Sequence, residues 1–167
     1  PNFVKKIVFP LEILPAVSLG TAMFHLLISL GVWTLFYGVI FGVPHGTSVW
    51  FGIVILPLLF VILGLSWFLA SLGVFVRDIA QAIGLVMSVL MFLSPVFYPV
   101  SALPENYRWV LFLNPTTQVV ENARSVLMWG SAPDWVSFAL YLMVSLVVAW
   151  LGYVWFQKTR RGFADVI

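Results

Sequence analysis

Eight Lys or Arg, six Asp or Glu and two His make up the charged chemistry of these 167 residues, and there is no Cys. Asp78, Glu105, Glu121 and Asp134 are too scattered to act as a general acid/base pair or to hold a metal. The chain has no HExxH, no GxxxxGK[ST] phosphate loop and no nucleophile elbow, so neither catalysis nor nucleotide binding is expected of it. Without Cys, disulfides, thiolate chemistry and Cys-ligated metal drop out. The residues that remain able to do chemistry are aromatic. Phe92, Phe97, Tyr98, Tyr107, Trp109 and Phe112 fall within 21 positions. Flat rings at that density can stack on the apolar faces of sugars, or sit in the amphipathic belt of a membrane interface. Glu12 is the other conspicuous side chain, an acid held between Pro10 and Pro15 at the edge of apolar sequence, where lipid gives it nothing.

The elements that must position these residues are membrane helices. From Ile13 to Val76 the chain runs 64 residues without Asp, Glu, Lys or Arg. Burying an ionised side chain in hydrocarbon costs several kcal/mol, and a spanning helix needs only about 20 apolar residues. Charged residues are 8% of the chain, against roughly 25% in soluble domains. The fold expected is all-α and integral to the membrane. Four spans are predicted: 13–41, 49–76, 79–98 and 135–156. The Gly42-Val43-Pro44-His45-Gly46-Thr47 break separates the first two. Pro57 should kink the second or start it on a new axis. Lys5, Lys6, Arg77, Lys158, Arg160 and Arg161 then fall on one side and only Arg108 and Arg124 opposite, which puts both termini in the cytoplasm. No basic stripe suited to nucleic acid is present.

Small residues recur at fourth positions, as Ala16 and Gly20, Gly38 and Gly42, and Ala80, Gly84 and Ser88, and read as helix-packing faces. His25, inside a span, is expected as a neutral imidazole bonded to a neighbouring helix, and His45 as a solvated turn residue. Trp50, Trp109, Trp129, Trp135 and Trp155 lie near span ends or in the outer segment.

The 36 residues from Pro99 to Asp134 are neither a span nor a polar loop. Leu103-Pro104-Glu105 reads as a helix start. Asn114-Pro115 stops that helix and reads as the N-cap and first residue of another, on which Glu121 and Arg124 can pair. Ser131 and Asp134 have capping-box spacing before the last span. Two short helices would dip into the outer leaflet and return. Backbone at that depth must be buried in protein or line a wet cavity.

Phe92-Leu93-Ser94-Pro95-Val96-Phe97-Tyr98-Pro99-Val100-Ser101, then Leu103-Pro104-Glu105 and Leu113-Asn114-Pro115-Thr116, resemble the C-terminal half of type-2 ATP-binding-cassette exporter permeases. The similarity is greatest to the subgroup that exports O-antigen, capsule and teichoic acid chains. Residues 2–15 resemble that subgroup's cytoplasmic stretch between its second and third membrane helices, and Arg77-Asp78-Ile79 its inner turn between the fourth and fifth. The resemblance covers essentially the whole chain. It implies a transmembrane permease domain over 1–167 whose spans are the third to sixth of a six-helix subunit, with an upstream amphipathic helix and two helices absent. It implies a homodimer in the cytoplasmic (inner) membrane, working with a separate ATPase subunit that binds ATP and Mg, and exporting a lipid-linked glycan. Lys5, Lys6, Glu12, Arg77 and Asp78 would couple to the ATPase. Phe92, Phe97, Tyr98, Tyr107, Trp109 and Phe112 would lie along the substrate path at the outer gate. A type-2 exporter of a drug or small lipid is the alternative. An ion-coupled transporter would want ionised residues inside the spans, which hold none.

Overall fold

The computed structural model describes residues 11–76 and 78–165, and its described elements are helical throughout. Helix α1 (Ile13–Ile40) tolerates Pro15 because it falls in the first turn, where the missing N–H has no intrahelical partner. The helix stops where Gly42 takes φ +90°, the left-handed conformation that closes many helix C-termini. A 3₁₀ turn (Gly46–Trp50) then leads into α2 (Phe51–Val54) and α3 (Leu56–Phe75). Pro57 sits at the start of α3, so the second span is broken into two axes at Ile55, as the sequence suggested. Helix α4 covers Ile79–Phe92, α5 Arg108–Phe112, α6 Thr117–Leu127 and α7 Trp135–Thr159.

Among the described residues, three segments are long and apolar enough to cross a membrane: Ile13–Ile40, Gly46–Phe75 and Trp135–Thr159. The predicted third span differs. Its apolar sequence continues to Tyr98, but the helix ends at Phe92 after 14 residues, about 21 Å at 1.5 Å per residue. Ser94-Pro95 turns the backbone out of the helix, and α4 stops short of the roughly 30 Å hydrocarbon thickness.

The principal packing is parallel, α3 on α7, with Gly64 at Gly152, Trp67 at Tyr153 and Phe68 at Trp155. The buried residues of α3 are Pro57, Val61, Gly64 and Ser71, and those of α7 are Phe138, Ser145, Gly152 and Phe156. Small residues thus repeat at seven positions on both helices (64 and 71, 145 and 152), the spacing of a seam between gently crossed helices. At its centre the backbones touch. A Cβ on Gly64 would stand 2.5 Å from the Val148 carbonyl oxygen, and one on Gly152 2.7 Å from the Gly64 carbonyl carbon. Ser71 and Ser145 are fully buried and donate to the carbonyls of Phe68 and Leu142 at 2.8 and 2.7 Å. The fourth-position stripes do not serve this packing: Gly20, Gly38, Gly42 and Gly84 have open space where a Cβ would go.

Two further expectations are corrected. His25 is exposed on α1, edge-on to Phe24 at 6.1 Å, and makes no bond to a neighbouring helix among the described residues. His45 is exposed but not simply solvated. Its ring accepts or donates a 3.2 Å bond with the Tyr37 hydroxyl and lies against Gly130, whose φ is +64°.

Candidate functional site

Between α4 and α7 the chain forms a re-entrant segment organised by one buried side chain, Asn114. Its Nδ2 donates to the Leu90 carbonyl at 2.8 Å, taking up an acceptor at the frayed end of α4. Its Oδ1 accepts from the Thr116 backbone N–H at 3.0 Å and the Thr116 hydroxyl at 2.8 Å. Thr116 and Ser94 share a hydroxyl–hydroxyl bond of 3.0 Å. The Tyr141 hydroxyl donates to the Pro115 carbonyl. Tyr141 lies six residues into α7, about 9 Å below its start. The knot's polar groups are thus satisfied within the protein. Asn114 is not the N-cap expected from sequence. The cap position of α6 is Thr116, and the helix begins at Thr117, because Asn114 is occupied in stapling α4 to the turn.

Arg124 organises the rest. It pairs with Glu121 at 2.8 Å, as its spacing suggested, and its other nitrogen donates to the Val96 carbonyl at 3.1 Å. This holds the 93–99 loop against α6. Ser131 takes no part in capping α7, since its hydroxyl reaches back to the Ser125 carbonyl. Asp134 alone is the cap, accepting from the Val136 and Ser137 N–H groups. The Ser137 hydroxyl, its backbone N–H and that of Val136 hold the Asp134 carboxyl below its ordinary value of 3.8.

The six aromatics emphasised by the sequence surround this knot without belonging to it. Phe92, Phe97, Tyr107, Trp109 and Phe112 are exposed and Tyr98 is half-buried. The Tyr98 hydroxyl donates to the Phe92 carbonyl at 3.1 Å, tying two of the six into one loop. Phe112 and Asn114 line a groove of about 470 Å³ whose far wall is Val61, Leu65 and Tyr141. Buried polar residues thus form a rigid frame that presents the rings outward. Composition drew attention to the rings. The Asn114, Thr116 and Tyr141 frame was missed because its bonds join positions 24 and 26 residues apart.

At the opposite end of the molecule lies Glu12, half-buried at the entry to α1. Its carboxylate meets Arg160 at 3.0 Å, and its carbonyl accepts from the Trp67 indole N–H at 2.9 Å. A backbone hydrogen bond at Glu12 and the Arg160 guanidinium hold the carboxyl below its ordinary value of 4.5, against the effect of burial. Asp78 is exposed at the start of α4 and makes no side-chain cap there. Lys5, Lys6 and Arg77 lie outside the described residues. Among the residues described, no group of His, Cys, Asp or Glu is arranged to hold a metal.

The family model described as ABC-2 type transporter matches residues 1–128. Over 99% of its length the chain is 25% identical to a Klebsiella pneumoniae protein named O-antigen export system permease protein RfbA, of which it covers 64%. It is 27% identical to a Myxococcus xanthus protein of the same name, of which it covers 65%. The chain thus spans just under two thirds of the length of these relatives.

Proposed function

Because this chain belongs to the ABC-2 type transporter family, we propose that it forms the membrane-spanning part of an ATP-driven exporter that moves lipid-linked polysaccharide out across the cytoplasmic membrane. One observation carries the reading: similarity to proteins named O-antigen export permeases runs along 99% of the chain, including the re-entrant segment that turns its rings outward. Phe92, Phe97, Tyr98, Tyr107, Trp109 and Phe112 are assigned to the outer gate and the glycan path. A ring stacks on a sugar face without demanding one orientation, which suits a polymer that must slide. Lys5, Lys6, Glu12, Arg77 and Asp78 are assigned to the contact with a separate ATPase chain, which binds ATP and Mg. Two copies of the permease complete the assembly. The six-to-two division of basic residues supports placing the Glu12 end, and with it the C-terminus, in the cytoplasm.

The test is surface glycan in cells carrying Tyr98→Leu, Trp109→Leu and Phe112→Leu, singly and together, at matched subunit levels. Leu keeps most of the apolar burial and removes the ring. A stack worth about 1 kcal/mol, by analogy with aromatic pairs, makes each single change partial and the triple change severe. Wild-type glycan in the triple variant would leave these rings as an interfacial belt.

A further inference from the structure

Helix α7 is one unbroken helix of 25 residues with bonded contacts at both ends to segments far away in sequence. At its last turn Arg160 reaches Glu12 across 148 positions. Near its first turns the Tyr141 hydroxyl bonds the Pro115 carbonyl, and the Asp134 N–H donates to Asn122 Oδ1 at 3.3 Å. Between these ends the Gly64–Gly152 crossing fixes the helix against α3. A stiff rod held along its length and tied at each end is a mechanical connection between the entry of α1 and the re-entrant segment.

The two ties differ in kind. The re-entrant tie is internal, with Thr117 and Asn122 buried beside it. The Glu12–Arg160 tie is partly exposed, the side chains keeping 26% and 45% of their surface. Exposed ion pairs contribute little net stability, so this tie can be made and broken by a protein docking beside it. Trp67 holds the backbone at Glu12 from the other side, so loss of the ion pair frees the carboxylate without unfolding the entry of α1.

We propose that Arg160 is a positioning residue: its bond to Glu12 hands movement of the α1 entry to α7, which carries it to the re-entrant segment. The inference rests on the exporter reading, which puts the ATPase contact at one end of this rod and the glycan path at the other. A bond with two states, closed and open, supplies the switchable element that such coupling requires.

The experiment uses the full-length subunit assembled with its ATPase in proteoliposomes containing lipid-linked glycan. It compares Arg160→Glu, Arg160→Ala and Arg160→Lys by the ratio of glycan-stimulated to basal ATP turnover. Arg160→Glu is expected to lower the stimulation about tenfold at unchanged complex yield, within the range of about 5–150-fold typical of coupling between sites. Arg160→Lys, which keeps a cation facing Glu12, is expected to stay well above Arg160→Ala. Arg160→Lys no better than Arg160→Ala, or Arg160→Glu with wild-type stimulation, overturns the inference and leaves the exporter reading standing. A wild-type complex that glycan does not stimulate overturns both.

Discussion

Replacing Gly152 by Ala adds one methyl group at the point where α3 and α7 touch, and the cost can be worked from the contact. The new Cβ would lie 2.7 Å from the Gly64 carbonyl carbon and 2.8 Å from its Cα, inside the 3.0 Å limit that real Cβ atoms respect. These are backbone atoms and cannot rotate aside. Reaching an ordinary carbon–carbon separation of 3.5–4.0 Å parts the helices by about 1 Å. Suppose the crossing holds about as many atom contacts as a buried leucine, about 50 at about 0.15 kcal/mol; losing a third of that attraction costs about 2.5 kcal/mol. Overpacking in well-packed cores costs about 1–3 kcal/mol, which agrees. Gly20→Ala is the internal control. It is the same chemical change in a helix, but nothing lies within 4 Å of the new atom. There the gain in helix preference, about 0.5–1 kcal/mol, stands alone. The helix gain is common to both, so the two identical substitutions should differ by the contact cost, about 2.5 kcal/mol, in reversible unfolding followed by tryptophan fluorescence in mixed micelles. Gly64→Ala should resemble Gly152→Ala, and the double variant should cost less than the sum because both relieve one contact. Gly152→Ala within about 0.5 kcal/mol of Gly20→Ala would refute the crossing.

Asn114→Ala should destabilise the protein by about 3 kcal/mol, since the Leu90 carbonyl and two donors of Thr116 lose their partner at about 1–3 kcal/mol for each buried group left unpaired. Its exposed neighbour is the control: Leu113→Ala should cost under about 1 kcal/mol in the same unfolding assay. Asp134 has a carboxyl held below 3.8 when folded, so its contribution to stability is complete above that value and disappears as pH falls through the lower folded value. Asp134→Asn should flatten that acid limb, and an unchanged acid profile would show that the cap does not govern it. Cysteines replacing Lys6, Arg77 and Lys158 should react only with a reagent supplied from the cytoplasm, and those replacing His45 and Asn106 only from outside. Outside labelling at Arg77 would break the topology.

What the sequence could reveal depended on how local each cause is. The 64-residue charge-free run, the Pro57 break and the Glu121–Arg124 pair act within one helix or across one bilayer, and each was legible. The α3–α7 seam was not. Lipid and a neighbouring helix are equally apolar, so hydropathy does not mark which face packs, and attention went to glycine pairs at four-residue spacing. The contact uses one glycine per helix, flanked at four residues by Phe60, Phe68, Val148 and Phe156. The usable signal was the seven-residue repeat of Gly64 with Ser71 and Ser145 with Gly152. The end of α4 was misplaced for a similar reason. Apolar composition continues through Tyr98, whereas the turn at Ser94-Pro95 is stabilised by an asparagine 24 residues distant from its acceptor. The Glu12–Arg160 pair, 148 positions apart, leaves no local trace at all.

Helices α1 and α4 have lengths of 28 and 14 residues, about 42 and 21 Å, on either side of a hydrocarbon layer near 30 Å. A single bilayer cannot match both. Beside α1 the excess is absorbed by tilt or by local thickening, whereas lipid that meets α4 finds too little apolar helix, which favours thinning there. The protein thus imposes a thickness gradient on its surroundings, with the shallow side next to the re-entrant segment. Thickening the bilayer eases the strain at α1 while raising it at α4. The thickness of the host membrane therefore acts on the two helices with opposite sign, a form of control set by lipid composition.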